Sequence, residues 1–177
     1  MTVHGSHNVS VIGNVAYDHY GHCYFLEDGG ERNTHFLYNL GVGTRKGILT
    51  PSDGQATTFW MTSADVKMIG NVAAGSDYAK GVGIWFIIPE KVTGPSAGLK
   101  FFSMPKEGKH TPVQEFRDNI VHSNGQAGLG FFKRLGKNHE ILGCSTYSPL
   151  VNPADDTSEY EPVILENLTG KTLTSLS

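Results

Sequence analysis

Short apolar runs along this chain end on glycine and asparagine, and they do so again and again. Val11-Ile12 closes on Gly13-Asn14, and Met68-Ile69 closes on Gly70-Asn71 with valine after each. Runs this short, each ended by a turn residue, predict strands. The one stretch with a helical look, Gln114 to Ile120, is long enough for a single turn.

The turn asparagines recur. Asn14, Asn39, Asn71, Asn119 and Asn167 each follow an apolar-rich segment, and Cys144 in Ile141-Leu142-Gly143-Cys144 takes the same place in one unit. Three of the five spacings (25, 32, 48, 25 and 23) lie near 24. A coil of that length, made of short strands and turns, is the unit of a parallel β-helix. Stacked coils bring like positions about 4.8 Å apart, close enough for asparagine amides to bond along the axis. The expected fold is therefore all-β: a right-handed parallel β-helix of about six coils, forming one domain over residues 1–177. The two long spacings mark loop insertions at 45–55 and 89–112.

A second column is aromatic: Tyr24-Phe25, Phe59-Trp60, Trp85-Phe86 and Phe131-Phe132. On a strand one member of each pair points inward and the other outward. The outward members would form an exposed stripe, with Trp60 over either Trp85 or Phe86. Strand-like sequence begins at His7 and runs on to Pro162–Thr169, with no polar cap in view. The terminal coils are thus expected to pack against neighbouring solenoid domains or other copies, as a segment of a longer solenoid would.

Composition narrows the classes. Charged residues are 18%, glycines number 22 and the net charge is -3, which suits strands and turns and gives no reason to expect nucleic acid. No apolar run is long enough to span a membrane, and no signal-peptide pattern opens the chain. Asn8-Val9-Ser10 and Asn167-Leu168-Thr169 are glycosylation sequons. The two cysteines, Cys23 and Cys144, make no disulfide framework, and both read as small buried fillers.

Several motifs occur in a fixed order: Val3-His4-Gly5-Ser6-His7-Asn8-Val9, Tyr20-Gly21-His22-Cys23-Tyr24-Phe25-Leu26-Glu27-Asp28-Gly29, Pro51-Ser52-Asp53, Thr58-Phe59-Trp60-Met61, Asn71-Val72-Ala73-Ala74-Gly75-Ser76 and Thr93-Gly94-Pro95-Ser96. Over residues 3 to 125 the chain resembles the β-helix region of the family that holds the cell-migration-inducing hyaluronan-binding protein, transmembrane protein 2 and fibrocystin-like proteins, which is often associated with G8 domains. That resemblance implies an extracellular or cell-surface protein. It implies a glycan-interacting module, with hyaluronan-like polysaccharide as the partner. If the chain is an enzyme, it implies a polysaccharide hydrolase or lyase. The alternative is a structural solenoid segment of a large surface or filament protein, without ligand.

The residues offer candidate chemistry of their own. Glu27, Asp28 and Glu31 crowd one turn, and Asp53 sits at the tip of an insertion one coil later. Paired carboxylates about 5–10 Å apart are what glycoside hydrolysis needs. Asp28 and Asp53 are the candidate catalytic acids, with His22 as proton relay. Glu27, Trp60 and Trp85 are the candidate substrate contacts, the tryptophans as stacking platforms. A solvated turn accounts equally well for the acids. The eight histidines include the pairs His4/His7 and His19/His22, but no metal-ligand spacing accompanies them. No metal and no cofactor is expected.

Overall fold

In the computed structural model, residues 1–97 and 108–171 are described. Three parallel sheets wrap around one core. Coil one contributes β1 (Thr2–Val3), β2 (Ser10–Ile12) and β3 (Val15–Tyr20), and coil two β4 (Tyr24–Leu26), β5 (Thr34–Leu37) and β6 (Leu40–Arg45). Coil three adds β7 (Thr57–Met61), β8 (Val66–Ile69) and β9 (Val72–Ala74), and coil four β10 (Val82–Phe86), β11 (Glu115–Arg117) and β12 (Ile120–His122). The first sheet runs β1-β4-β7-β10 and the second β2-β5-β8-β11, while the third runs β3-β6-β9-β12. Gln114 to Ile120 is therefore not a helical turn. It holds β11 and the corner before β12, because its apolar residues meet stacking partners on the coil above.

The fifth coil departs from the repeat. β13 (Ala127–Gly130) continues the first sheet, and the chain then leaves the helix. It forms an antiparallel pair, β14 (Arg134–Leu135) with β15 (Ile141–Leu142), and returns at Glu166, which bridges Arg117. β16 (Thr169–Lys171) closes the third sheet on β12. The described residues thus make five coils, not about six. Cys144 lies exposed beyond β15 and belongs to no turn column, whereas Cys23 is buried as expected.

The corner between the second and third sheets sets the register. Asn14 Nδ2 donates to Asn39 Oδ1 (2.9 Å), Asn39 Nδ2 to Asn71 Oδ1 (3.0 Å) and Asn71 Nδ2 to Asn119 Oδ1 (3.1 Å). Each receiving oxygen also accepts the backbone N–H of the asparagine above, and the last three amides donate to the backbone carbonyls of Val11, Phe36 and Met68. Asn39, Asn71 and Asn119 are buried, so every amide must find partners. The preceding residue in each coil, namely Gly13, Tyr38, Gly70 and Asp118, has positive φ. Asn167 belongs to this left-handed column, with its Nδ2 donating to Asp118 Oδ1 (3.0 Å). Leu168 takes the ladder position in coil five, so Asn167 is one residue out of the expected column.

The aromatic pairs do stack, and the register settles which on which. Phe25, Trp60 and Trp85 are aligned on one face of the first sheet, and Leu26, Met61 and Phe86 on the other. Phe131 stacks on Phe86 (4.6 Å between centroids) and Phe132 on Trp85 (4.8 Å). The inner face joins the main core with Tyr24, Phe36 and Phe59. The outer face is no open stripe. Trp60, Val82, Trp85 and Ile87 form a second core with Leu135, under Phe132 and Ile141 from the β14–β15 excursion.

Candidate functional site

The candidate residues fall into separate places, and the first contains both tryptophans. Trp60 is 1% exposed and Trp85 0%. They lie edge to face at 5.5 Å, and neither indole N–H has a protein partner. A sugar cannot reach either ring, so neither is a stacking platform. The sequence left Trp60 over either Trp85 or Phe86, and the register puts it over Trp85 on the outer face. What the sequence did not reveal was the cover, because Phe131-Phe132 and Ile141-Leu142-Gly143-Cys144 read as further units of the repeat, not as a lid over the first sheet.

The second place is the corner before β4. His22 lies under the first insertion with its ring 3.9 Å from that of Trp60. Its Nδ1 accepts the Thr57 N–H (3.2 Å), so the ring proton sits on Nε2, facing Ser52 Oγ (3.2 Å) and Asp53 Oδ1 (3.7 Å). Burial pushes the imidazole pKa down to about 3, with Asp53 acting weakly the other way, so His22 is neutral at physiological pH. Asp53 is the third residue of a 3-10 turn, Pro51–Gln55, that lies in the insertion. Its Oδ2 accepts the N–H groups of Leu49 (2.8 Å) and Thr50 (3.0 Å). His22 and Asp53 do meet, but as a buried clamp on the insertion.

The third place is the corner after β4. Glu31, fully buried, accepts N–H bonds from Gly5 (3.2 Å), Asp28 (2.9 Å) and Gly29 (2.9 Å), which makes it the organiser of the turn. His4 bridges two acids, with Nδ1 2.9 Å from Glu27 Oε2 and Nε2 3.3 Å from Asp28 Oδ2. Asp28 is 1% exposed, and its backbone carbonyl accepts the Thr93 N–H (2.9 Å). Gly94, at positive φ, lies so close that a Cβ there would overlap Asp28 Oδ1. Burial, then the neighbouring Glu31, raise the Asp28 pKa to about 6, while His4 works to lower it. The three residues of β4, on the order of 10 Å at ~3.3 Å each, separate this corner from His22 and Asp53, and Asp28 meets His4 whereas His22 meets Ser52 and Asp53. The structure therefore does not gather His22, Asp28 and Asp53 into one catalytic group.

A fourth place was only half visible in sequence. The start of the second insertion and the β14–β15 hairpin enclose a cleft of about 480 Å³. Val92, Leu135 and Leu142 supply apolar walls, and Lys91, Arg134 and Lys137 stand around it. Glu90 is the one acid in the lining, and it pairs with Arg134 across the cleft. The insertion was marked by its length, but the opposite wall gave no signal. Residues 98–107 of that insertion lie outside the described residues.

Comparison with known proteins fits this architecture. A family model described as CEMIP beta-helix matches residues 1–129. The chain belongs to the CEMIP beta-helix family. Over 154 aligned residues it is 34% identical to the human protein named Cell surface hyaluronidase CEMIP2, covering 73% of this chain and 11% of that protein. The mouse Cell migration-inducing and hyaluronan-binding protein is 33% identical with the same coverage. Mouse Fibrocystin-L is 33% identical over 134 residues, 75% of this chain and 3% of its own length. The chain thus spans about a tenth of the first two relatives. The family match takes in coils one to four and all but the last residue of β13, including the asparagine ladder and both buried tryptophans. The cleft wall at 134–142 lies beyond it. No helix among the described residues is long and apolar enough to cross a membrane.

Proposed function

We propose that the chain is a glycan-interacting β-helix module of a larger protein at the cell surface or outside the cell, and that it binds a hyaluronan-like acidic polysaccharide. The observation that carries this reading is the cleft between the second insertion and the β14–β15 hairpin. Its volume falls in the range of small-ligand sites, and its walls are apolar with a few polar groups, the usual division between affinity and orientation. Three cations against one acid leave a local excess of positive charge on a chain of net charge -3. A carboxylate-bearing sugar chain suits that rim. The names of the relatives point to the same ligand class.

Binding rather than bond cleavage is the better-supported activity for this module. His22 and Asp53 are buried in the insertion clamp, and Asp28 is sealed by Gly94 and His4. Each of these groups already has a structural task.

The test is titration of the protein with a hyaluronan hexasaccharide, wild type against Lys91→Glu with Lys137→Glu. Reversing both charges is expected to weaken binding at least about tenfold. The wild-type affinity should fall with added salt, as screening requires. A wild type that does not bind, or a double variant that binds equally well, overturns the reading. Wild-type protein is also expected to leave long hyaluronan uncut in a viscosity assay.

A further inference from the structure

The third sheet carries a feature that the cleft does not use. A groove of about 390 Å³ opens on its outer side, between Tyr17 on coil one and Tyr78 just after coil three. Tyr17 is 78% exposed and Tyr78 96%, although the rings of Tyr24, Phe36, Phe59, Trp60, Trp85 and Phe86 are all sealed in the cores. The floor is Gly43 and Gly75, both at positive φ, where side chains are strained and glycine leaves the backbone bare. The charged lining is Asp18, Arg45 and Asp77, and Thr44 adds a hydroxyl already bonded to His19 and Thr58.

We infer that this groove is a second carbohydrate site, one that takes the rings of an uncharged saccharide. The tyrosines give two apolar faces of pyranose size with polar edges, the amphipathic chemistry that suits a sugar ring. Between them lie groups that bond hydroxyls. Asp77 Oδ1 accepts the N–H groups of Ala79 (3.1 Å) and Lys80 (3.2 Å), which fixes the carboxylate and leaves Oδ2 for a ligand. Asp18 pairs with Arg45, whose guanidinium lies 5.8 Å from the centre of the Tyr20 ring. Two carboxylates against one guanidinium make the lining locally negative. That balance repels a uronate and favours hydroxyl donors, opposite to the basic cleft. From coil one to coil three the groove spans two steps of ~4.8 Å, which matches two β-linked pyranoses of an extended chain. A protein partner would want a contiguous apolar centre, and here glycine backbone and carboxylates occupy the middle.

The site stands on observations separate from the cleft, and one experiment separates them. Amide chemical shifts of Gly43, Thr44 and Gly75 would be followed while chitohexaose, a neutral probe, is added. A parallel titration uses the hyaluronan hexasaccharide. Chitohexaose is expected to move these three amides. Tyr17→Ala and Tyr78→Ala should each weaken its binding about tenfold, the loss typical of cutting one aromatic anchor, while Tyr17→Phe keeps it. The Lys91→Glu, Lys137→Glu protein should keep chitohexaose binding and lose hyaluronan. If chitohexaose leaves the amides unmoved, or if the alanine variants bind it normally, the groove is not a sugar site, whatever the cleft does. Movement by hyaluronan alone also overturns it, and so does a wild-type dimer that Tyr78→Ala dissolves.

Discussion

Asn71 has the most to lose on substitution. Its amide donates to Asn119 and to the Phe36 carbonyl while its oxygen accepts from Asn39, all in a fully buried place. Asn71→Ala strands those partners, and a loss of about 1–3 kcal/mol is expected in chemical denaturation. Two buried titratable groups give stability opposite dependences on pH. Burial holds the His22 pKa at about 3, below its ordinary value, so the unfolded chain binds a proton that the folded chain refuses. Stability from this group is present above about pH 6.5 and is lost as pH falls toward 3. His22→Gln should flatten that acid limb in urea melts from pH 7 to 4. The Asp28 pKa is raised to about 6, so the folded state holds the proton more tightly. That contribution is full below about pH 4 and is lost as pH rises through 6. Asp28→Asn is accordingly expected to raise the melting temperature at pH 7.5 more than at pH 4.5. A catalytic Asp28 would instead show lost activity with little gain in stability.

The β14–β15 excursion decides what the first sheet can present. It closes over Trp85 with Phe132, Leu135 and Ile141, so Trp85→Ala should cost about 3–5 kcal/mol of stability. Its effect on glycan affinity should not exceed that of any other destabilising change in the core. Titration and melting of the same variant would check both. This excursion also marks the limit of what the sequence shows. The ladder from Asn14 to Asn119 was legible because coils one to four repeat the same turn chemistry, and the aromatic pairs because a strand repeats every two residues. Once the chain leaves the solenoid at Phe131, the apparent period through Cys144 no longer marks a coil, and nothing in it shows that the tryptophans are covered. The acidic turn was legible as a cluster, but its task was not, since Glu31 is satisfied by N–H groups from two different coils. The groove was not legible, because Tyr17 and Tyr78 form no pair or column in the sequence. Only the stacking of coil one through coil three brings them to one groove.

At the scale of the whole molecule, the two proposed sugar sites lie on different sheets and differ in charge. A long polysaccharide able to reach both would bind with avidity beyond either site. Hyaluronan, with a uronate in every disaccharide, is not expected to show this, whereas a glycan with separate neutral and acidic stretches is. The sequons differ as well. Asn8 is exposed, and its oxygen accepts from Asn33 (2.9 Å), whereas the Asn167 amide nitrogen is engaged with Asp118. If the protein is expressed through a secretory pathway, mass spectrometry should find Asn8 more fully glycosylated than Asn167. The proposal that the first coil packs on a neighbour rests on exposed Ile12 and Val15, which end β2 and begin β3. Light scattering that shows a monomer at high concentration, with that coil protected from hydrogen exchange, would count against it.

Leu168, where the asparagine ladder stops, gives the solenoid a weak end and a strong end. Coils one to four are linked amide to amide, each bond polarising the next. Coil five has no such rung: β13, the bridge at Glu166 and the short β16 hold it, with backbone bonds from Ser148 and Leu150 to Lys109 and His110. Under tension along the axis the chain should tear there first, with the ladder above it intact, and come apart coil by coil only at higher force. Leu168→Asn would extend the ladder by one rung and move the breaking point, which a single-molecule pulling trace would record as a later first step.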